Sequence, residues 1–298
     1  MTVEFTHSPL LGTLVEVRVG ASTDVAERAD RAAVAEFQRL DAVFSTYRDD
    51  SELNRWRRDE VSTCSPDLLT VLEAAQEWYE ASAGAFHPAT GMLRQRWLAA
   101  HQVGAIPSPA ELSALADGTR SLPYRVSGTT VQRLDDCTGL DLNGIAKGYI
   151  VDRAATAAAA VPGVSSVMVN AGGDLRHRGE GTVLVGVEDP ARPFDNQPPR
   201  WSVRVADGGL ATSGSARRGF QVGERWLGHV LDPRTGWPVE HTTSVTVLAR
   251  DTMTADVLAT VLGVLEPNEA IAFAASRGIG CLLVDSSGTA STSPDWPS

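Results

Sequence analysis

Four short segments gather polar side chains and glycine in ways that packing does not require. Asp141-Leu142-Asn143-Gly144-Ile145-Ala146-Lys147-Gly148 runs from a short strand into the first turn of a helix. The free N–H groups and positive dipole end of a helix start, with Lys147 in that turn, suit a phosphate. A helix start with a solvated lysine is the plainer alternative. Asn170-Ala171-Gly172-Gly173-Asp174 follows an apolar strand. Its paired glycines permit positive φ and a close backbone approach to a ligand, or simply a tight turn. The spacing is not G-x-G-x-x-G, so a Rossmann site is not expected.

His229 stands at the mouth of the turn Asp232-Pro233-Arg234-Thr235-Gly236. An imidazole there is a candidate general base near neutral pH, against the competing reading of a structural histidine. Upstream, Thr212-Ser213-Gly214-Ser215-Ala216-Arg217-Arg218 supplies hydroxyls and two cations that a phosphate site could use. Asp256 and Thr260, four apart on an apolar helix, project from one face. A buried carboxylate needs a partner or a cation. With a carbonyl oxygen, this pair makes a hard-ligand set for Mg²⁺. The alternative without metal has Asp256 as an N-cap and Thr260 bonding back to a helical carbonyl.

These segments need elements to hold them. Alternation at Thr13, Val15, Val17 and Val19 predicts a strand. Ser22 then offers an N-cap to a long helix whose stripe is Ala26, Ala29, Ala33, Phe37, Leu40 and Phe44. Ser65-Pro66 starts a second helix ending near Gly84, and Ser108-Pro109-Ala110-Glu111 reads as a capping box. A hairpin is expected from Tyr124 to Leu134. Beyond it, strands are expected at Ser166–Val169, Val183–Val187, Ser202–Val205, Ser244–Ala249 and Ile279–Val284. Helices are expected from Ile145 to Ala160 and from Thr254 to Leu265. Asp189 to Arg200 holds four prolines and reads as a loop. The Ser/Thr/Pro/Gly-rich stretch from Ser286 to Ser298 is expected to be a disordered tail. Many short strands, few in βαβ order, predict an α+β fold.

The chain has 298 residues, with 26 Lys+Arg against 37 Asp+Glu and a net charge of −11. A hydrophobic fraction of 43% and a charged fraction of 21% exclude a disordered, collagenous or multi-span membrane chain. The acidic balance argues against a nucleic-acid partner. A small polyanion would need local cations or a metal. The start, Met1-Thr2-Val3-Glu4-Phe5, lacks the basic, apolar pattern of an export signal, and no membrane segment is expected. Cys64, Cys137 and Cys281 form no disulfide or zinc pattern. Together these predict a cytoplasmic protein.

Taken in order, the segments resemble the FAD:protein FMN transferase family, also called flavin transferases. Leu11-Gly12-Thr13, Phe44-Ser45-Thr46-Tyr47-Arg48, Asp50-Ser51-Glu52-Leu53, Gly84-Ala85-Phe86-His87-Pro88 and Val187-Glu188-Asp189-Pro190 add to the likeness, which runs from about Leu11 to Leu265. The resemblance implies a T-fold-like single domain over 1–285, a mixed, largely antiparallel sheet with packed helices. It implies FAD as substrate, Mg²⁺ as cofactor and an acceptor flavoprotein. FMN would be attached through a phosphoester to a Ser/Thr hydroxyl, and AMP released. Asp256, Thr260 and the carbonyl of Gly144 would hold the metal. Leu11, Tyr47, Ala85, Phe86, His87, Asp141, Lys147 and Val230 fall at flavin- or nucleotide-contacting positions, and His229 matches the base. Leu11 stands where relatives often have Met, and His87 where they often have Asp. An FAD pyrophosphatase yielding FMN and AMP, or a non-catalytic FAD-binding protein, would use the same residues.

Overall fold

Val15, Val17 and Val19 lie on one side of their strand and are fully buried, while Glu16 and Arg18 face the other way. That alternation sets one strand of a large sheet, seen here in a computed structural model that describes residues 1–193 and 197–297. The first half runs β1 (Thr2–Leu10), β2 (Thr13–Gly20), α1 (Thr23–Phe44), α2 (Glu52–Arg57), α3 (Pro66–Ala81), α4 (Gly91–Val103) and α5 (Pro109–Asp117). The hairpin β3 (Tyr124–Ser127) and β4 (Thr130–Arg133) leads to α6 (Ala146–Ala159). Next come β5 (Ser166–Ala171), β6 (Asp174–Gly179), β7 (Val183–Val187), β8 (Trp201–Val205), β9 (Gly208–Gly214), β10 (Gly219–Val222) and β11 (Arg225–Gly228). The chain closes with β12 (Thr242–Ala249), α7 (Thr252–Val264), α8 (Pro267–Ala275), β13 (Gly280–Asp285) and β14 (Ala290–Thr292).

The main sheet has eight strands in the order β1-β2-β5-β6-β9-β12-β13-β14. Each neighbouring pair is antiparallel. This is the α+β architecture expected. Helices α1, α6 and α7 cover one face, and the largest apolar core lies between them and the sheet. The β7–β8 ribbon covers part of the other face through Val187, Val203 and Val205. A third cluster joins α4 and α5 to the β10–β11 hairpin through Trp97, Leu112, Phe220 and Leu227. No helix among the described residues is long and apolar enough to cross a membrane.

The expected disordered tail is corrected in part. Ala290, Ser291 and Thr292 pair with Val284, Leu283 and Leu282, adding an outer strand to the sheet. Ser293 is buried; its hydroxyl accepts from the Cys281 N–H at 2.9 Å and donates to the Ile279 carbonyl at 2.7 Å. The unpaired edge of β13 gives this polar segment the hydrogen-bond partners that order it. Of the expected tail, only Ser298 lies outside the described residues. The loop expected at Asp189–Arg200 is irregular where it is described, and positions 194–196 lie outside the described residues.

One helix crossing positions much of the polar chemistry. A Cβ at Gly148 of α6 would collide with the Thr252 carbonyl at the start of α7, so only glycine lets the two backbones approach this closely. The helices then cap each other. Asp152 of α6 accepts from the N–H groups of Thr252 and Met253, each at 2.9 Å. In return, Asp256 of α7 accepts from the N–H of Gly148 at 3.0 Å. Free N–H groups at a helix start favour such carboxylates.

Candidate functional site

A cavity of about 590 Å³ opens where the loop before α6, the β5–β6 turn, the β9–β10 turn and the loop after β11 converge. That volume is in the range of small-molecule sites. Its lining includes Ala85, Phe86, His87, Asp141, Gly144, Lys147, His229, Val230, Asp256 and Thr260. Ten of the sequence-derived site residues therefore meet in one place. Leu11 and Tyr47 do not line it. Leu11 sits in the β1–β2 turn with φ of 49° and packs against the main core. Tyr47 is 80% exposed on the loop after α1.

The carboxylate wall is built by the helix crossing. Asp174, at the exit of the Gly172-Gly173 turn, is almost fully buried, and its Oδ2 lies 2.5 Å from Lys147 Nζ. Both glycines have positive φ, so the turn is tight and also reaches the cavity wall. Asp256 is buried beside Asp174. Burial raises the proton affinity of both carboxyls. The Asp174 charge pushes Asp256 further in that direction, while Lys147 opposes the shift in each. Two buried acids share one lysine, an arrangement short of positive charge.

Asp256 is not the N-cap of its helix. Asp251 takes that place, accepting from the Thr254 N–H at 2.8 Å. Thr260 does bond back, its hydroxyl donating to the Asp256 carbonyl at 3.4 Å, which leaves the oxygen lone pairs facing the cavity. A Cβ at Gly144 would come within 3.1 Å of Thr260 Oγ1, so the loop before α6 lies directly against α7 here. Carboxylate, hydroxyl and nearby backbone oxygen are hard donors, fitting a small divalent cation. No group of three or more His, Cys, Asp or Glu side chains that could hold a metal occurs among the described residues. The expected phosphate site at the α6 start is altered: Asp256 already occupies the Gly148 N–H, leaving Lys147 as the wall's cation.

The histidine wall is held by main chain. His229 follows β11, and both its N–H (3.2 Å) and its Nδ1 (3.3 Å) meet the carbonyl oxygen of Arg218. A carbonyl can only accept, so Nδ1 carries the proton and Nε2 keeps its lone pair. Burial, then the charge of Arg218, pushes the imidazole pKa down to about 4. The loop beyond is pinned: Asp232 accepts from the N–H groups of Gly236 and Arg234, and Trp97 of α4 donates to the Gly236 carbonyl at 2.8 Å.

His87 faces the cavity but has no ring nitrogen to offer. Its Nδ1 accepts from the Ala89 N–H at 3.0 Å and its Nε2 contacts the Ser121 carbonyl at 3.2 Å. Burial holds its pKa at about 4, so it is a neutral structural histidine. It lines the cavity as its family position implies, with both ring nitrogens already engaged by main chain. Sequence reasoning noticed Asp174 without placing it among the site residues and missed Arg94. No local signal marks Arg94, which reaches the wall from α4. The net charge of −11 is not carried into the cavity, where Arg94, Lys147, Arg217 and Arg218 match Asp141, Asp174, Glu188 and Asp256.

Residues 11–283 match the sequence profile of the ApbE family. The FAD:protein FMN transferase of Vibrio cholerae serotype O1 is 29% identical over 290 residues, spanning 93% of this chain and 85% of that protein. The FAD:protein FMN transferase of Treponema pallidum is 31% identical over 294 residues, spanning 88% of this chain and 79% of that protein. The solved ApbE protein of Thermotoga maritima superposes with a TM-score of 0.85 at 26% identity, covering 99% of this chain and 97% of that one. The flavin transferase ApbE of Vibrio cholerae gives a TM-score of 0.76 at 26% identity, covering 99% and 98%.

Proposed function

The chain belongs to the ApbE family, and on that premise we propose that it is an FAD:protein FMN transferase. In this reading it uses Mg²⁺ to split FAD and joins FMN through a phosphoester to a Ser/Thr hydroxyl of an acceptor protein, releasing AMP. The observation that carries the reading is a single cavity with a cation-seeking carboxylate pair on one wall and a neutral imidazole with a free Nε2 on the other.

Asp256, Thr260 and the carbonyl of Gly144 would hold the Mg²⁺. An ion held by these groups would supply charge neutralisation to the pyrophosphate. Lys147 reaches the same charge, and Asp174 holds its ammonium in place. Asp141 is set by the Asn143 N–H bond to its Oδ1 at 3.0 Å, which leaves Oδ2 for a polar group of FAD. Ala85, Phe86 and Val230 offer apolar surface to the flavin or its chain. His229 Nε2 takes the proton of the acceptor hydroxyl. An imidazole with a pKa near 4 is a weak base by itself. The phosphates of FAD bring negative charge beside it and raise its proton affinity when it is needed.

The test is AMP release from FAD by the purified chain, measured with and without Mg²⁺ and with and without an acceptor. Release that needs both Mg²⁺ and acceptor is the expected result. Equal release without acceptor would replace the transferase reading with an FAD pyrophosphatase. No release under any condition would leave an FAD-binding protein.

A further inference from the structure

Arg217 and Arg218 are neighbours in sequence with opposite surroundings. Arg217 makes a two-point pair with Glu188, Nη2 to Oε1 at 2.5 Å and Nε to Oε2 at 3.1 Å, tying the β9–β10 turn to the end of β7. Among the described residues, no hydrogen bond or ion pair holds the Arg218 guanidinium, which is exposed on the cavity. Its backbone is fixed all the same. The Arg218 carbonyl grips His229 twice, and the next residue must be glycine, because a Cβ at Gly219 would collide with the Leu227 carbonyl. Arg218 thus holds the imidazole from behind, and its charge is felt both by His229 and by Asp174 across the cavity. A cation beside a proton acceptor works against that acceptor unless an anion comes between them. An exposed, unpaired guanidinium between a neutral imidazole and a carboxylate wall therefore marks an anion position. Its planar fork fits two phosphate oxygens at once.

We propose that Arg218 is a further catalytic residue, its guanidinium contacting the non-bridging oxygens of the phosphoryl group as it passes from FAD to the acceptor. This rests on the transferase reading above. In the step, the acceptor oxygen bonds to the FMN phosphorus, and the bond from that phosphorus to the bridging oxygen breaks. AMP leaves with that oxygen and the electron pair, and the hydroxyl proton goes to His229 Nε2. Charge on the transferring group is spread over its equatorial oxygens at that moment. Arg218 meets those oxygens from the histidine side, opposite Lys147.

The experiment compares kcat and KM for FAD in the full chain and its Arg218→Ala, Arg218→Lys and Arg225→Ala variants, with Mg²⁺ and acceptor present. Arg225 lies on the same hairpin and pairs with Glu240 outside the cavity, at 2.7 Å. Arg218→Ala is expected to lower kcat by about 10²–10³-fold, with KM for FAD changed by less than about fivefold. Arg218→Lys should recover part of the loss, added guanidinium ion should restore turnover to Arg218→Ala but not to His229→Ala, and Arg225→Ala should match the parent. The proposal is overturned if Arg218→Ala turns over like the parent, if its loss lies wholly in KM, if guanidinium restores nothing, or if Arg225→Ala falls as far. A parent chain that transfers no FMN removes the transferase reading itself, and the role of Arg218 with it.

Discussion

Asp256 and His229 face one cavity from two kinds of scaffold. Asp256 stands in the second turn of a buried helix, fixed by a glycine-permitted crossing and by the N–H of the opposing helix. His229 is half-buried at the end of a two-stranded hairpin, fixed by a single carbonyl oxygen. On the first wall the functional groups are two buried carboxyls sharing one lysine, and burial holds a proton on the pair more tightly than water would. On the second, main chain does the holding, and the side chains Nε2 and Arg218 stay open. On the proposed reading the two walls divide the work: the rigid, desolvated one suits a cation and pyrophosphate, and the open one suits an incoming protein hydroxyl.

The largest effect should come from the rigid wall. Asp256→Asn keeps an acceptor for Gly148 but removes the charge, and Mg²⁺-dependent transfer should fall by roughly 10³-fold, as expected from several kcal/mol of metal stabilisation. Stability should respond in the opposite sense. The folded pKa of Asp256 is raised, so the native state binds its proton more tightly than the unfolded chain. Stability of the metal-free parent is then full in acid and declines as pH rises past the ordinary carboxylate range. Thermal melting from about pH 5 to about pH 8 should show this decline, with Mg²⁺ restoring more at the alkaline end. Asp256→Asn should flatten both trends. A parent whose melting ignores pH and Mg²⁺ would break the comparison at its root.

His229→Ala is next, with an expected loss of about 10²–10⁴-fold in transfer. FAD binding and melting temperature should be nearly unchanged, because the hairpin keeps its own backbone bonds; an equal loss of FAD affinity would move His229 to a ligand role. Gly148→Val should destabilise the fold by about 1–3 kcal/mol through overpacking and weaken the Mg²⁺ response together with stability. Retention of both would mean that the crossing does not set the carboxylate wall. The smallest change is Tyr47→Ala, which lies on neither wall and should alter stability by less than about 0.5 kcal/mol. If its family position holds here, FAD KM rises through contact made when the flavin is bound; an unchanged KM removes Tyr47 from the site.

The local parts of this site were legible in the sequence, and their assembly was not. Asp256 and Thr260 could be read from helical spacing, and His229 from its turn. The strand at Thr13–Gly20 and helices α1, α3, α6 and α7 follow from period and caps. The approach of Asp174 to Asp256 is a tertiary event with no local pattern. Gly148 reads only as a weak helix residue until the second backbone is seen. Strand β6 hides because Arg176 and Arg178 alternate with Leu175 and His177, without β-branched residues to mark it; both arginines turn toward α6, at Asp152 and Thr156. Strand β9 hides behind its glycines, and α4 begins without a side-chain cap. Leu11, Tyr47, Ala85, Phe86 and His87 came from the family likeness alone; the last three line the cavity, and Leu11 and Tyr47 do not.

The most direct measurement is the intact mass of a candidate acceptor protein after incubation with the chain, FAD and Mg²⁺. The account predicts a mass increase of one FMN on a Ser or Thr, matched by an equal amount of AMP and formed roughly 10³-fold more slowly by Asp256→Asn. AMP and free FMN appearing while the acceptor mass stays unchanged would contradict it.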